Sequence, residues 1–505
     1  MAGNLSEKLK KAVETIVLAG YQLSKDAFDF LKSKENESYF EEIVQKIIKE
    51  ANDSTLKPFI IDEAFLKSLF PDEEKKDGVS SGLFTKVPFA KEIESRVEIL
   101  DDPTSKIDSS GSMEDFVDYF KDRFKKMANM LQKRNDVKGI RTLEEALNAR
   151  INEKVKFICM ILEKKERKGI INLRVDDPEH TATVIVIESN DKALFEKARA
   201  IPLDQVVCIE GVKWKEGIFV AKDIILPDLP ERKTNNSKDP VYAALLSDAH
   251  VGSKTFLEKA FNKLISWINL EIGTQNQIKI AEKIKYIIIA GDLVDGIGVY
   301  PNQEKELAIP NLYEQYRLAA SFLEKIPDYI EVILIPGNHD AVRQALPQPA
   351  IPKDFAEPIY EARSIISLGN PAQIKLHDVR FLLYHGKSLD DVIASIPKMN
   401  FHSPEKAMEF LLRCRHLAPE FGKRTPIAPR KSDCLIIEEP PDVFQAGHVH
   451  VAKYSIYRGS LIVNCGAWQS QTEYQKRMGL EPTPGILPIL NLHSMQISLI
   501  NFMLW

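Results

Sequence analysis

Five short clusters constrain this chain more than any other feature. Asp248-Ala249-His250, Gly291-Asp292-Leu293-Val294-Asp295, Gly337-Asn338-His339-Asp340, Tyr384-His385-Gly386 and Gly447-His448-Val449-His450 follow one another in that order. Each comes directly after an apolar, strand-like run, such as Ala243-Ala244-Leu245-Leu246 or Tyr286-Ile287-Ile288-Ile289. A lone Asp-x-His or Gly-Asn-His-Asp is more often a turn or a helix cap than a functional site. Five in order, holding five of the chain's 10 histidines, reverse that expectation. The arrangement places carboxylates, imidazoles and one amide at strand ends, where the loops of an α/β sandwich converge.

Two divalent ions a few ångströms apart require a shared anionic bridge, oxygen and nitrogen ligands on each side, and open positions for substrate. The clusters supply all of these. Carboxylate, imidazole and amide donors without thiolate suit Mn²⁺ best, with Mg²⁺ or Fe²⁺ as alternatives.

The pattern resembles the calcineurin-like metallophosphoesterases. That resemblance implies that Asp248, His250 and His450 hold one metal, that Asn338, His385 and His448 hold the other, and that Asp292 bridges them. It also implies that His339 is not a ligand but faces the phosphate as a protonated catalytic group, with Asp295 or Asp340 fixing its tautomer.

At 505 residues the chain exceeds what one core usually organises, so two to four domains are expected. The 44% hydrophobic and 28% charged content is that of a soluble globular protein. A net charge of -5 gives no global nucleic-acid signature, so any basic track must be local or come from a partner. Five cysteines without C-x-x-C spacing read as reduced thiols. The N-terminus lacks a signal-peptide core, and no window approaches the ~20 apolar residues of a membrane span. A cytoplasmic protein with no membrane partner is expected.

Residues 1–70 read as a helical docking domain, with Leu5, Leu9, Val13, Ile16 and Val17 on one face and a last short helix near Ala64 to Phe70. Residues 71–112 read as a flexible linker in which Gly82 to Phe89 could be a partner-bound peptide or an incidental apolar patch. Residues 113–149 form a helical connector with capping-box starts at Ser112 and Thr142 and a core-facing stripe of Phe116, Phe120, Phe124 and Leu131. Residues 150–228 shift to strand periodicity, with a helix at Asp191 to Ala198 between the third and fourth strands. That order suits an OB-type barrel. Phe157, Phe195, Trp214 and Phe219 are few for base stacking, which favours a structural or protein-binding barrel. Regular strand and helix alternation fills 241–505. It includes a helix across Phe256 to Leu270, another from about Gln303 and terminal strands near Ile486 to Leu499. The fold class expected is therefore multidomain α/β: a phosphoesterase β-sandwich with flanking helices, preceded by an OB-type barrel and a small N-terminal helical domain.

Residues between the clusters narrow the resemblance. Asp295 to Gln303, Leu346-Pro347-Gln348-Pro349, Tyr384 to Asp391, Arg415 to Pro419 and Gly466 to Thr472 look like the small subunit of archaeal family D DNA polymerase. The likeness runs from about residue 112 to the C-terminus. It implies a proofreading 3′-to-5′ exonuclease with a two-metal mechanism, paired with a large polymerising subunit and acting on single-stranded or mismatched 3′ ends of DNA. A sliding clamp is a further candidate partner. The alternatives are a non-catalytic scaffold bracing the polymerising subunit, or a general metallophosphoesterase. Arg343 is a candidate phosphate contact. Arg413, Arg415, Lys423, Arg424, Arg430 and Lys431 either steer a phosphate backbone or are ordinary solvated charge.

Overall fold

The structure, a computed structural model, describes residues 7–18, 21–34, 44–49, 60–61, 87–106 and 111–505. Internal contacts divide the chain into Met1–Thr85 and Lys86–Trp505. In the first unit the amphipathic helices Glu7–Leu18 and Lys25–Lys34 bury Leu9, Ala12, Ile16, Ala27 and Leu31 with Val44, Ile47 and Ile61. Two short strands, β1 (Gln22–Leu23) and β2 (Ile60–Ile61), pair in parallel beside them. The helix expected near Ala64 to Phe70 lies outside the described residues.

The second unit begins where a linker was expected, and this part of the reading is corrected. Phe89, at the head of a short helix Phe89–Glu92, packs on a buried core, so this end of the Gly82 to Phe89 peptide is not free for a partner. Ala90 donates its N–H to Glu282 O at 2.8 Å, and the buried Lys285 ammonium donates to Ala90 O at 3.1 Å. β3 (Val97–Asp101) then joins a sheet. Short and paired with a strand far along the chain, β3 has too few residues for a local periodicity to register.

The helix Met113–Gln132 starts at the expected capping box on Ser112. Its buried stripe, however, is Tyr119, Arg123, Met127 and Leu131, one residue out of phase with the phenylalanines for most of its length. Phe120 and Phe124 are half-buried against the core beside it, and Phe116 and Phe120 meet Phe421 edge-on, with ring centroids at 5.5 and 5.7 Å. Thr142 caps the helix Leu143–Leu147. β4 (Lys154–Arg167), β5 (Ile170–Asp176), β6 (Thr181–Ile187), β7 (Val206–Lys215) and β8 (Ile218–Ile225) close a barrel in the order β4-β5-β6-β8-β7, and the helix Lys192–Ala200 lies between β6 and β7 in the chain. Phe157, Phe195 and Phe219 fill its interior, and only Trp214 of the four aromatics is exposed.

The remaining strands are β9 (Tyr242–Leu246), β10 (Ile284–Ala290), β11 (Glu331–Ile335), β12 (Ile366–Ser367), β13 (Ala372–Leu376), β14 (Val379–Leu383), β15 (Val443–Ala446), β16 (Lys453–Tyr457), β17 (Ser460–Asn464), β18 (Ile486–Asn491) and β19 (Ile497–Asn501). They form two six-stranded sheets, β12-β11-β10-β9-β18-β19 and β16-β17-β15-β14-β13-β3. β9 to β12 run parallel, as do β14, β15 and β17. One core holds the facing sides of both sheets: Ala243, Leu245, Tyr286, Ile288, Ile333 and Ile335 against Ile374, Phe381, Leu383, Val443 and Val463. The opposite face of the first sheet, with Ile287, Ile289, Val332 and Leu334, is covered by the helices Glu258–Ile268 and Leu312–Leu323. Helices Leu389–Ser395 and Pro404–Cys414 cover the second sheet. Burial on both faces explains why β10 is an unbroken apolar run apart from Lys285. The helix expected from about Gln303 is a single 3-10 turn, Gln303–Lys305, and the true helix starts at Leu312 after the Asn311 cap. Among the described residues no helix is long and apolar enough to cross a membrane.

Candidate metal centre

All five clusters lie directly beyond strand C-termini: β9 leads to Asp248 and His250, β10 to Asp292 and Asp295, β11 to Asn338, His339 and Asp340, β14 to His385, and β15 to His448 and His450. The loop after β9 runs alongside the loop after β10. Asp248 N donates to Gly291 O at 3.0 Å, His250 N to Asp292 O at 3.1 Å and Asp295 N to Val251 O at 3.0 Å. The loops also bind one another's carboxylates. Asp292 Oδ1 accepts from His339 N at 2.8 Å, and Asp248 Oδ2 accepts from His448 N at 2.9 Å.

Five candidate ligands, Asp248, His250, Asp292, His448 and His450, have φ between 51° and 66°. This left-handed region costs a side-chain-bearing residue about 1–2 kcal/mol. The surrounding contacts maintain that strain at the site. Glycines make the approach possible. A Cβ on Gly337 would lie 2.6 Å from Asp292 N and 2.7 Å from its Cγ, and one on Gly291 would lie 2.8 Å from Gly337 Cα.

Among the described residues three overlapping groups could hold a metal ion: Asp248 with His250 and His450, His250 with Asp292 and His339, and Asp292 with His385 and His448. Asp292 is central. Its Oδ2 is 3.3 Å from His385 Nε2, 3.8 Å from His250 Nε2 and 3.9 Å from His339 Nε2. On one side, His450 Nε2 is 3.4 Å from Asp248 Oδ1 and 3.0 Å from His250 Nε2. On the other, Asn338 Oδ1 is 3.1 Å from His385 Nε2. All seven ligand candidates read from the sequence are therefore brought together.

The donor chemistry fits cations. Two imidazole nitrogens 3.0 Å apart repel unless a cation or a proton lies between them. Burial opposes charge on His250 and His385. The surrounding Asp295, Asp292 and Asp248 carboxylates outweigh it, pushing each imidazole up to about 9. Asp292 is held well below the usual carboxylate range, again against burial, chiefly by the charge of His385 and then by that of His250.

Each imidazole has one nitrogen fixed by a neighbour. Asp295 Oδ1 is 3.0 Å from His250 Nδ1, and the Ala290 carbonyl accepts from His385 Nδ1 at 3.0 Å. The Gln475 amide lies 2.8 Å from His450 Nδ1, and Asp390 Oδ2 lies 3.0 Å from His448 Nε2. Gln475 and Asp390 were not singled out in the sequence as site residues, since neither stands in a ligand cluster.

Three sequence expectations change here. Asp295 does fix the tautomer of His339, but through its backbone carbonyl, which accepts from His339 Nδ1 at 2.7 Å. Its carboxylate serves His250 instead. Asp340 does not touch His339. It accepts from Gly337 N at 2.9 Å and from Leu293 N and Val294 N at 3.4 Å, tying two ligand loops together. Burial, and then the charge of Asp292, push Asp340 up to about 7. Finally, His339 is not held as imidazolium: burial outweighs the nearby carboxylates and lowers it to about 4, leaving Nε2 an unprotonated base.

The basic candidates also sort out. Arg343 donates to Pro347 O at 2.8 Å and Ala345 O at 3.2 Å, so its guanidinium braces its own loop. Arg415 is buried and donates to Ile437 O at 2.6 Å, which makes it structural. Lys423 pairs with Glu420 at 3.4 Å.

Comparison with known proteins follows the same line. The family described as the B subunit of DNA polymerase alpha/epsilon matches residues 243–454. The DNA polymerase II small subunit of Archaeoglobus fulgidus is 37% identical over 88% of this chain and 89% of its own length. This chain belongs to the DNA polymerase II small subunit family. Two further small subunits, from Methanothermobacter thermautotrophicus and Pyrococcus horikoshii, are each 40% identical over 78% of the chain. The chain spans 81% of the first and 63% of the second. A solved archaeal phosphodiesterase is 16% identical and covers 52% of the chain and 99% of its own, at a TM-score of 0.26, a likeness too slight to argue from.

Proposed function

We propose that this small subunit is a 3′-to-5′ DNA exonuclease that hydrolyses phosphodiester bonds with two divalent metal ions and proofreads for a large polymerising subunit. Asp248, His250 and His450 would hold one ion, Asn338, His385 and His448 the other, with Asp292 between them. The observation that carries the reading is the position of Asp292 Oδ2 within 3.3–3.9 Å of three imidazoles drawn from three loops. The ligand set suits Mn²⁺, with Mg²⁺ or Fe²⁺ as alternatives. When bound, such ions lower the pKa of water and neutralise charge developing on the phosphate.

The chain's own residues would do the rest. Asp295 holds His250 with its carboxylate and His339 with its carbonyl, so one residue aligns a ligand and the base. With Nδ1–H committed to that carbonyl, His339 presents Nε2 as a proton acceptor toward the attacking water. The strain at five ligands favours a working centre over a bare scaffold, because bracing a partner would not require left-handed backbone at those residues. We read the five-stranded barrel as OB type, with a structural or protein-binding role, since Phe157, Phe195 and Phe219 are committed to its core. The likeness to DNA polymerase subunits supports a polymerising partner and a DNA substrate.

The test is metal content and hydrolysis measured together. The isolated chain with Mn²⁺ should shorten a single-stranded DNA. His339→Ala should lose hydrolysis and keep both ions, whereas Asp292→Ala should lose affinity for at least one. Loss of an ion in His339→Ala would make that residue a ligand and overturn its assignment.

A further inference from the structure

His448 differs from its companions in what orients it. Of the five imidazoles at the centre, His339 and His385 are fixed by backbone carbonyls, His450 by an amide and His250 by Asp295, a member of the clusters themselves. His448 is fixed by Asp390, which stands in the first turn of the helix Leu389–Ser395. That helix follows the His385 loop directly. Leu389 is fully buried and its N–H donates to Gly386 O at 2.9 Å, so the helix start is rigidly joined to the turn that carries His385. Asp390 therefore reaches from the His385 loop to the His448 loop, two loops that supply candidate ligands on the same side of Asp292.

Resting on the two-ion reading above, the geometry points to Asp390 as a positioning residue for the ion held by Asn338, His385 and His448. Its carboxylate takes the Nε2–H of His448 at 3.0 Å, which fixes the tautomer and leaves Nδ1 as the ligating nitrogen. The Lys387 ammonium lies 3.7 Å from the same carboxylate oxygen. A carboxylate behind a ligating imidazole makes that imidazole a better donor to a cation.

The next residue provides an internal control. Asp391 shares the helical turn and also accepts hydrogen bonds, but from the backbone N–H groups of Arg424 and Thr425, each at 3.0 Å. Its role is to hold a loop.

The experiment is calorimetric titration of the full chain with Mn²⁺. The wild type should show two binding events, and His448→Ala identifies which belongs to the His448 side. In Asp390→Asn that same event should weaken about 10–100-fold. The other event should be unchanged, and so should the melting temperature within a few degrees. Asp391→Asn should leave both events at wild-type strength. Wild-type binding of both ions by Asp390→Asn would overturn the inference, as would equal weakening of both or weakening of the other event alone. If the wild type itself bound fewer than two ions, the two-ion reading would fall and the inference with it.

Discussion

Replacing Gly337 with alanine is a small change with a calculable consequence. The added Cβ would sit 2.6 Å from Asp292 N and 2.7 Å from Asp292 Cγ, where ordinary contact begins at 3.4 Å. One of the two loops must therefore yield by about 0.8 Å, the difference between 3.4 and 2.6 Å. Metal–ligand distances tolerate only about 0.2 Å, so the displacement is roughly four times what a shared carboxylate can absorb. Overpacking of this kind typically costs about 1–3 kcal/mol of stability, which a protein of this size should survive. The expected result is a folded protein that binds Mn²⁺ at least tenfold more weakly and hydrolyses DNA poorly. Gly298→Ala is the control: its φ is positive (73°), unlike that of Gly337, but nothing lies within 4 Å of its Cβ. It should lose about 1 kcal/mol through backbone strain alone and keep its metals. Wild-type Mn²⁺ affinity in Gly337→Ala would refute the argument that Asp292 bridges from a fixed position.

Because His250 and His385 are raised to about 9, both carry protons in the metal-free protein at pH 7.5, and binding of two ions should release about two protons. Mn²⁺ affinity should thus fall as pH drops below 9, by up to tenfold per displaced proton per pH unit. Calorimetry in buffers of different ionisation enthalpy measures the number, and zero release would contradict the assignment. In the metal-free protein these raised values stabilise the fold below pH 6.5, and that contribution fades as pH rises through 9. Arg123 and Asp433, both fully buried and 2.8 Å apart, should behave as a unit. Arg123→Met removes a charged partner from the buried Asp433 carboxylate, leaving His416 Nε2 at 2.8 Å, and should cost about 3–5 kcal/mol. The double variant Arg123→Met, Asp433→Asn should cost less than the single one by thermal unfolding.

The candidate ligands were legible because metal chemistry admits few side chains and parallel strands deliver them at predictable places. Asp248, His250, Asp292, Asn338, His385, His448 and His450 converge as the family resemblance implied. Which atom of a residue acts was not legible. Asp295 and Asp340 are alike in sequence, yet one orients two imidazoles while the other caps loop backbone, and only the path of the chain decides this. The charge on His339 is set by more than its neighbours: carboxylates nearby favour it, but in the metal-free protein their effect is smaller than that of burial. In the fold, Arg123 was missed because a cation at a core position looks like a solvated face until Asp433 is seen opposite it. β3 escaped because an edge strand takes its order from its partner and not from its own periodicity.

The most direct test of the account uses 5′-labelled primer–templates with matched and mismatched 3′ ends, incubated with the chain and Mn²⁺. A stacked step is worth about 1.4 kcal/mol, so each base pair that must be opened should slow removal roughly tenfold. The account predicts a ladder shortening from the 3′ end, faster on the mismatched primer and absent in His339→Ala. Equal rates on both primers, or products released only from the 5′ end, would contradict it.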